Sequence, residues 1–280
     1  MTITLYIRSL TCCLLVALLA GSCQHGSTDL TPVAPNAGRK CVVSTLDYKV
    51  DVNVGAGLVS MLVNAALTYN AGGQVSSVTT KYTVGQLGSL TNTDEITYAP
   101  GQITAKTKAT VRDMDGVGST VYTLNGAGLI SKRVQTREAT NGTGTSTVMY
   151  EYDPDGYRVK DILADGSYTT YTYVNGNMST ITQYEAGGAK RDVLTLTYYE
   201  DKPLNTANIG GLSAEAAFYA AGLLGKPNRN PIKAMTSSFQ SSETITFKYV
   251  YDNDNNVVTV TQQGGSNPVA LTVNYAYACR

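Results

Sequence analysis

Histidine is almost missing from this chain: 280 residues contain one, His25, and no tryptophan, with 3 Phe beside 20 Tyr. Ser-His-Asp triads and histidine-based zinc sites need an imidazole at their centre, and His25 lies in a polar stretch near the N-terminus, so neither has its central residue. Charge is scarce as well. Only 15% of residues are charged, and 21 Lys+Arg balance 21 Asp+Glu, so the surplus of cations that would neutralise phosphates is absent and a dedicated nucleic-acid binder is excluded. The apolar stretch over 10–19 is about half the roughly 20 residues that a membrane-spanning helix needs. What is abundant points to sheet. The hydrophobic fraction of 42% can bury a core, and Tyr, Thr and Val suit a pleated, half-buried surface.

The first 22 residues read as a secretory signal, with the lone charge Arg8, the apolar stretch, and then Ala20, Gly21 and Ser22 directly before Cys23. Leu19-Ala20-Gly21-Ser22-Cys23 resembles a bacterial lipobox, with Ala20 where a bulky aliphatic residue is usual. That likeness implies a diacylated Cys23 as the mature N-terminus and an anchor in the outer membrane, facing periplasm or cell surface. The alternative is an ordinary signal cut near Ala20 that leaves Cys23 a free thiol. The polar Gly/Ser/Thr/Pro/Asn composition of 24–39, suited to a flexible tether, favours lipidation. The expected organisation is signal peptide 1–22, tether 23–39 and a single domain 40–280.

Cys12 and Cys13 leave with the signal, so the body retains Cys41 and Cys279. An exported pair is more often bridged than free. Cys41 opens the first strand-like segment and Cys279 closes the last, positions that meet if the end strands lie antiparallel. A bridge closing so long a loop stabilises by up to about 5 kcal/mol; the alternative is two unrelated buried thiols.

From Lys40 onward, alternating segments are split by Gly/Asn/Asp turns. Ile245, Phe247, Tyr249 and Tyr251 share one face while Thr244, Thr246 and Lys248 share the other, and Leu271, Val273, Tyr275 and Tyr277 repeat the pattern. Period two with one apolar face predicts half-buried antiparallel strands. Their joints, among them Asn125-Gly126, Asp155-Gly156, Asp165-Gly166 and Asn175-Gly176, suit tight hairpins. A loose repeat of about one hairpin's length runs through the meander: a Thr/Tyr-rich strand, a turn, and a strand that begins with an aliphatic residue. Tyr69, Tyr152, Tyr173 and Tyr251 close four of its copies. These stretches resemble the tyrosine–aspartate (YD/RHS-type) repeats of large secreted bacterial shell proteins, a likeness read as shared hairpin chemistry. One interruption stands out, a short helix predicted over 213–224, capped by Ser213 and ended by Gly225. Its apolar residues Ala214, Ala217, Phe218, Ala221 and Leu224 need cover, at a barrel mouth or over an open sheet face. The fold expected is all-β, an antiparallel meander curved into a large barrel or barrel-like sheet.

The lipobox, the Tyr-x-Tyr-Asp turns, Asp201-Lys202-Pro203-Leu204-Asn205, Gly225-Lys226-Pro227-Asn228-Arg229-Asn230-Pro231 and the terminal Tyr275-Ala276-Tyr277-Ala278-Cys279 together resemble a Bacteroidota lipoprotein family of undefined function with a porin-like fold. The resemblance implies a curved antiparallel barrel and supplies no catalytic residue.

No catalytic residue, metal site or cofactor is expected. Asp153, Asp155, Asp165, Asp252 and Asp254 sit in turns, where carboxylates bond the backbone; Asp252–Asn256 begins like a calcium loop but lacks the Gly and Glu that complete one. A strand face of Thr, Lys and Asn argues against a membrane-spanning barrel, whose outside is apolar. The expected function is non-enzymatic binding of a glycan, lipid or protein partner by a monomer held to the membrane through its N-terminal lipid. A carboxylate-dependent hydrolase and a structural envelope module are the alternatives. Most tyrosines read as core, and Tyr168, Tyr171 and Tyr173 are the candidates for an exposed ligand surface.

Overall fold

The computed structural model describes residues 41–53, 58–85, 88–109, 117–139, 142–202, 214–239, 243–264 and 267–279; the signal, Cys23 and the tether lie outside them. Twelve strands run in sequence, β1 (Cys41–Asn53), β2 (Leu58–Tyr69), β3 (Val75–Val84), β4 (Ser89–Ala99), β5 (Gln102–Ala109), β6 (Val117–Leu124), β7 (Ile130–Ala139), β8 (Gly142–Tyr152), β9 (Arg158–Leu163), β10 (Tyr168–Val174), β11 (Asn177–Tyr184) and β12 (Lys190–Tyr198). Helix α1 (Ala214–Ala220) follows, then β13 (Ile232–Ser237), β14 (Thr244–Tyr251), β15 (Val257–Gly264) and β16 (Asn267–Cys279). Each strand pairs with its neighbour in sequence, and β16 pairs with β1 to close the barrel. Cys41 stands opposite Cys279 in that last ladder, and a disulfide joins them across 238 residues.

A closed wall has two sides, and the alternation assigns them. On β2, Val63, Ala65 and Leu67 are buried while Leu62, Asn64 and Ala66 are exposed; on β1, Leu46 and Tyr48 are buried and Thr45, Asp47 and Lys49 are not. Inside, apolar and aromatic side chains pack on α1. Outside, hydroxyls and amides pair across strands, as in Thr172–Thr180 (2.5 Å), Thr236–Thr244 (2.9 Å) and Asn274 Nδ2 donating to Asp47 (3.2 Å). Such pairs support a solvated face. Alternation gives no strand over Ile232–Ser237, because a register shift turns Ile232 and Met235, three residues apart, both inward.

Tight turns stand at both ends of the barrel. Asp165-Gly166 lies at one; Asn175-Gly176 lies at the other with φ of 52° and 78°, the positive pair that a two-residue hairpin needs. In the 125–129 turn the positive φ belongs to Gly128, not to the expected Gly126. Helix α1 plugs this same end. It is shorter than the expected 213–224, and its proposed cap Ser213 lies outside the described residues. Gly222, at φ 72°, ends it: the Gly222 amide bonds Tyr219 O and the Leu223 amide bonds Phe218 O, both at 2.9 Å, a Schellman closure. Phe218 is buried edge-on against Tyr122, with centroids 5.0 Å apart.

Tyrosine outnumbers phenylalanine for a reason visible at this plugged end. Six hydroxyls donate to backbone carbonyls of the adjoining strand: Tyr69 to Val43 (2.6 Å), Tyr98 to Val75 (2.9 Å), Tyr152 to Ile130 (2.5 Å), Tyr173 to Arg158 (3.0 Å), Tyr198 to Met178 (2.6 Å) and Tyr277 to Val257 (2.7 Å). The geometry is constant. The last backbone pairs of these hairpins are Thr45↔Ala66, Ser77↔Glu95, Lys132↔Met149, Lys160↔Thr170, Thr180↔Thr195 and Thr259↔Asn274. Each acceptor lies two residues before its member of the pair, and each tyrosine three residues after the other member. The hydroxyl thus takes a carbonyl just beyond the end of the ladder. Phenylalanine would fill the same space and leave that carbonyl bare.

Two outcomes are expected. Tyr152→Phe and Tyr277→Phe should each lower the unfolding free energy by about 1–3 kcal/mol, whereas Tyr168→Phe, outside this pattern, should stay within about 0.5 kcal/mol; urea titration of the purified variants measures both. Burial pushes the Tyr98 phenol up to about 12 and raises Tyr152, Tyr173, Tyr198 and Tyr277 well above their ordinary value. A phenol that holds its proton more tightly when folded stabilises fully below the unfolded value near 10 and loses that contribution as pH rises beyond it. The urea midpoint should therefore hold up to about pH 10 and fall between about pH 10 and 12.

Candidate functional site

Away from the plug, the inner wall changes character. The registers set inward residues in rows: Val78, Asp94, Thr107, Gly118, Arg137 and Gly144 form one across β3 to β8, and Ile96, Ala105, Thr120, Gln135 and Ser146 form the next one deeper across β4 to β8. Below them come Tyr122, Arg133 and Val148. Polar groups thus gather toward the end opposite the plug. They line a cavity of about 200 Å³ with Tyr82 and Asn92 on its wall, and a second space of about 440 Å³ between Arg133, Gln135, Arg137 and Ser146. The two share Gln135 and Arg137.

The hydrogen bonds here are few. Thr107 donates to Asp94 Oδ1 at 2.7 Å, and the buried Oδ1 of Asn92 has no partner. Burial, and then the Asp94 carboxylate, raise the Tyr82 phenol, which remains a neutral donor. Beneath the cavity, Arg133 bonds Glu215 of α1. Burial opposes the Arg133 charge, but Glu215 holds its guanidinium above the ordinary value. Burial and Glu215 in turn raise Tyr122 and Tyr150. A second pair, Arg158 and Asp161 at 3.6 Å, braces the helix from the other side, with the guanidinium 4.7 Å from the Tyr171 ring and 5.8 Å from that of Tyr219. Cations over ring faces gain energy where water is excluded. Both pairs hold the plug to the wall.

The three tyrosines expected on one exposed surface are divided between the two sides. Tyr171 is 9% exposed and donates to Asp161 at 2.6 Å; Tyr173 is half-buried and holds the Arg158 carbonyl. Neither presents a free ring. Tyr168 alone lies on the outer wall, stacked on Tyr184 at 4.5 Å with Lys160 Nζ 4.7 Å from its ring centroid. The parity of 168 against 171 and 173 already carried this separation. The lumen residues Asp94, Asn92, Gln135 and Arg137 were missed, because polar residues on an alternating strand look outward-facing until the register is known.

Of the turn acids, Asp153, Asp165 and Asp252 bond the backbone. Asp252 accepts from the amides of Asp254 and Asn256 at 2.9 and 2.8 Å, and Asp153 from that of Tyr157 at 2.8 Å. In the 225–231 segment, Asn228 takes the Met178 amide and Asn230 exchanges bonds with Asn177, so this motif staples the plug's return strand to the β10–β11 turn. Among the described residues no cluster of three His, Cys, Asp or Glu could hold a metal, and no helix is long and apolar enough to cross a membrane.

No protein-family model matches the chain, and no curated protein does. Solved structures do. A porin-like protein from Bacteroides uniformis shares 22% identity at a TM-score of 0.64, over 84% of this chain and 96% of that one. A porin-like protein from Bacteroides vulgatus shares 13% at 0.51, over 85% and 99%. At these identities the likeness concerns architecture: this chain has the porin-like barrel fold.

Glu215→Gln should lower stability by about 1.5–3 kcal/mol, because it leaves the Arg133 charge without its carboxylate. Replacing both, as Arg133→Met with Glu215→Leu, should recover part of the loss. Urea titration of the single and double variants measures each.

Proposed function

We propose that this protein is a lipid-anchored envelope protein that captures a ligand in the open end of its barrel and conducts nothing. The polarity of the wall carries the reading. Membrane barrels turn a continuous apolar band outward and a polar lumen inward; here Thr, Ser, Asn and Lys line the outside, and a buried helix with its aromatic neighbours fills one end. Exposed apolar side chains such as Leu62, Met149, Val174 and Val250 are scattered over separate strands. Cys41 and Cys279 stand at the plugged end. A tether that begins at a lipidated Cys23 would join there, so the plug faces the membrane and the polar mouth faces away. Of the glycan, lipid and protein partners considered, the polar lumen favours a glycan.

Metabolic labelling with palmitate should mark the wild type and not Cys23→Ala, and the purified protein should give no conductance in planar bilayers. Equal labelling would remove the anchor; discrete ion channels would overturn the plugged-barrel reading.

A further inference from the structure

We infer that the upper lumen is a saccharide site, sized for one or two sugar units and built on Asp94, Asn92, Gln135 and Arg137, with Tyr82 as its aromatic wall. This rests on the capture reading and names its ligand class. Asp94 and Arg137 occupy one register row, three strands apart. At roughly 4.8 Å per strand that is about 14 Å along the wall, a span that radiating hydroxyls cover and the adjacent charges of an α-amino acid do not. Glycine empties the row. A Cβ at Gly118 would fall 2.3 Å from the Thr136 carbonyl oxygen, so β6 and β7 admit no side chain there; a Cβ at Gly144, beside Arg137, meets nothing within 4 Å. At Gly144 an inward position that elsewhere holds a core side chain is left as space.

The surrounding chemistry selects the class. A carboxylate accepts, a guanidinium donates, and the amides of Asn92 and Gln135 do both, the mixture that vicinal hydroxyls satisfy in either direction. The unpartnered Asn92 Oδ1 supplies an acceptor awaiting a donor. A phosphate would meet the Asp94 carboxylate, and a lipid tail would strand these polar groups without partners. The cavity of about 200 Å³ exceeds the ~150 Å³ that houses a benzene ring, which suits a sugar ring with its hydroxyls.

Saturation-transfer NMR and calorimetry on the purified full chain, against neutral mono- and disaccharides with free amino acids and dipeptides as a second arm, test the assignment. At least one saccharide should bind, about 10-fold or more weakly to Asp94→Asn, to Arg137→Gln and to Gly144→Phe, whose ring enters the adjoining space that shares Gln135 and Arg137 with the cavity. Thermal midpoints should confirm that the variants fold; if Gly144→Phe does not, Gly144→Val serves in its place. Saccharide binding indifferent to these substitutions would overturn the site. Amino acids or dipeptides bound in its place and weakened by the same substitutions would overturn the sugar class but leave the capture reading standing, and no binding in either arm would overturn both the sugar class and the capture reading.

Discussion

A hydroxyl reaching one carbonyl past the end of a ladder holds this barrel's plugged rim together. Tyrosine makes that contact in six hairpins, always three residues beyond the last pair on its own strand, and always to a carbonyl that the neighbouring strand has run out of partners for. Buried carbonyls without partners are expensive, and at a barrel rim water would otherwise satisfy them. The phenols let the rim be dry. A dry rim in turn lets α1 bury Phe218 and Tyr219 there, where a hydrated one would compete for the space.

Once the plug is seated, its few charges become structural. Glu215 is the helix's one acid and meets Arg133; Arg158, between the Tyr171 and Tyr219 rings, ties the opposite wall to the same helix. Neither pair is free for chemistry. The hydroxyls, amides, Asp94 and Arg137 lie one and two rows further from the plug, and this gradient, from aromatic to ionic to hydroxyl and amide, divides the interior into an apolar core and a polar lumen.

Much of this was readable in the residues and some was not. Alternation at Ile245–Tyr251 and Leu271–Tyr277 marks the strands and their apolar face, and Cys41 with Cys279 marks the seam, because period two and a cysteine at each end of the body are local or compositional signals. The repeat at Tyr69, Tyr152 and Tyr173 was visible as a pattern, yet its meaning needed the registers that place Val43, Ile130 and the Arg158 carbonyl within reach. The predicted 213–224 overruns α1, since Gly225 and Gly222 can each terminate a helix until tertiary contacts choose between them. The lumen was illegible for a related reason: Asp94 and Arg137 are 43 positions apart in sequence, and only the stacking of four strands sets them in one row.

The seam differs from the other ladders in how far apart its strands lie along the chain. Each hairpin joins strands close in sequence, whereas β1 and β16 must find each other across the whole chain. Before they meet, the sheet is an open ribbon with two edges of 13 residues, each an accessible template for another chain. The disulfide is thus a safeguard against pairing between copies as much as a brace: it ties shut the seam whose two edges could otherwise zip onto another chain edge to edge.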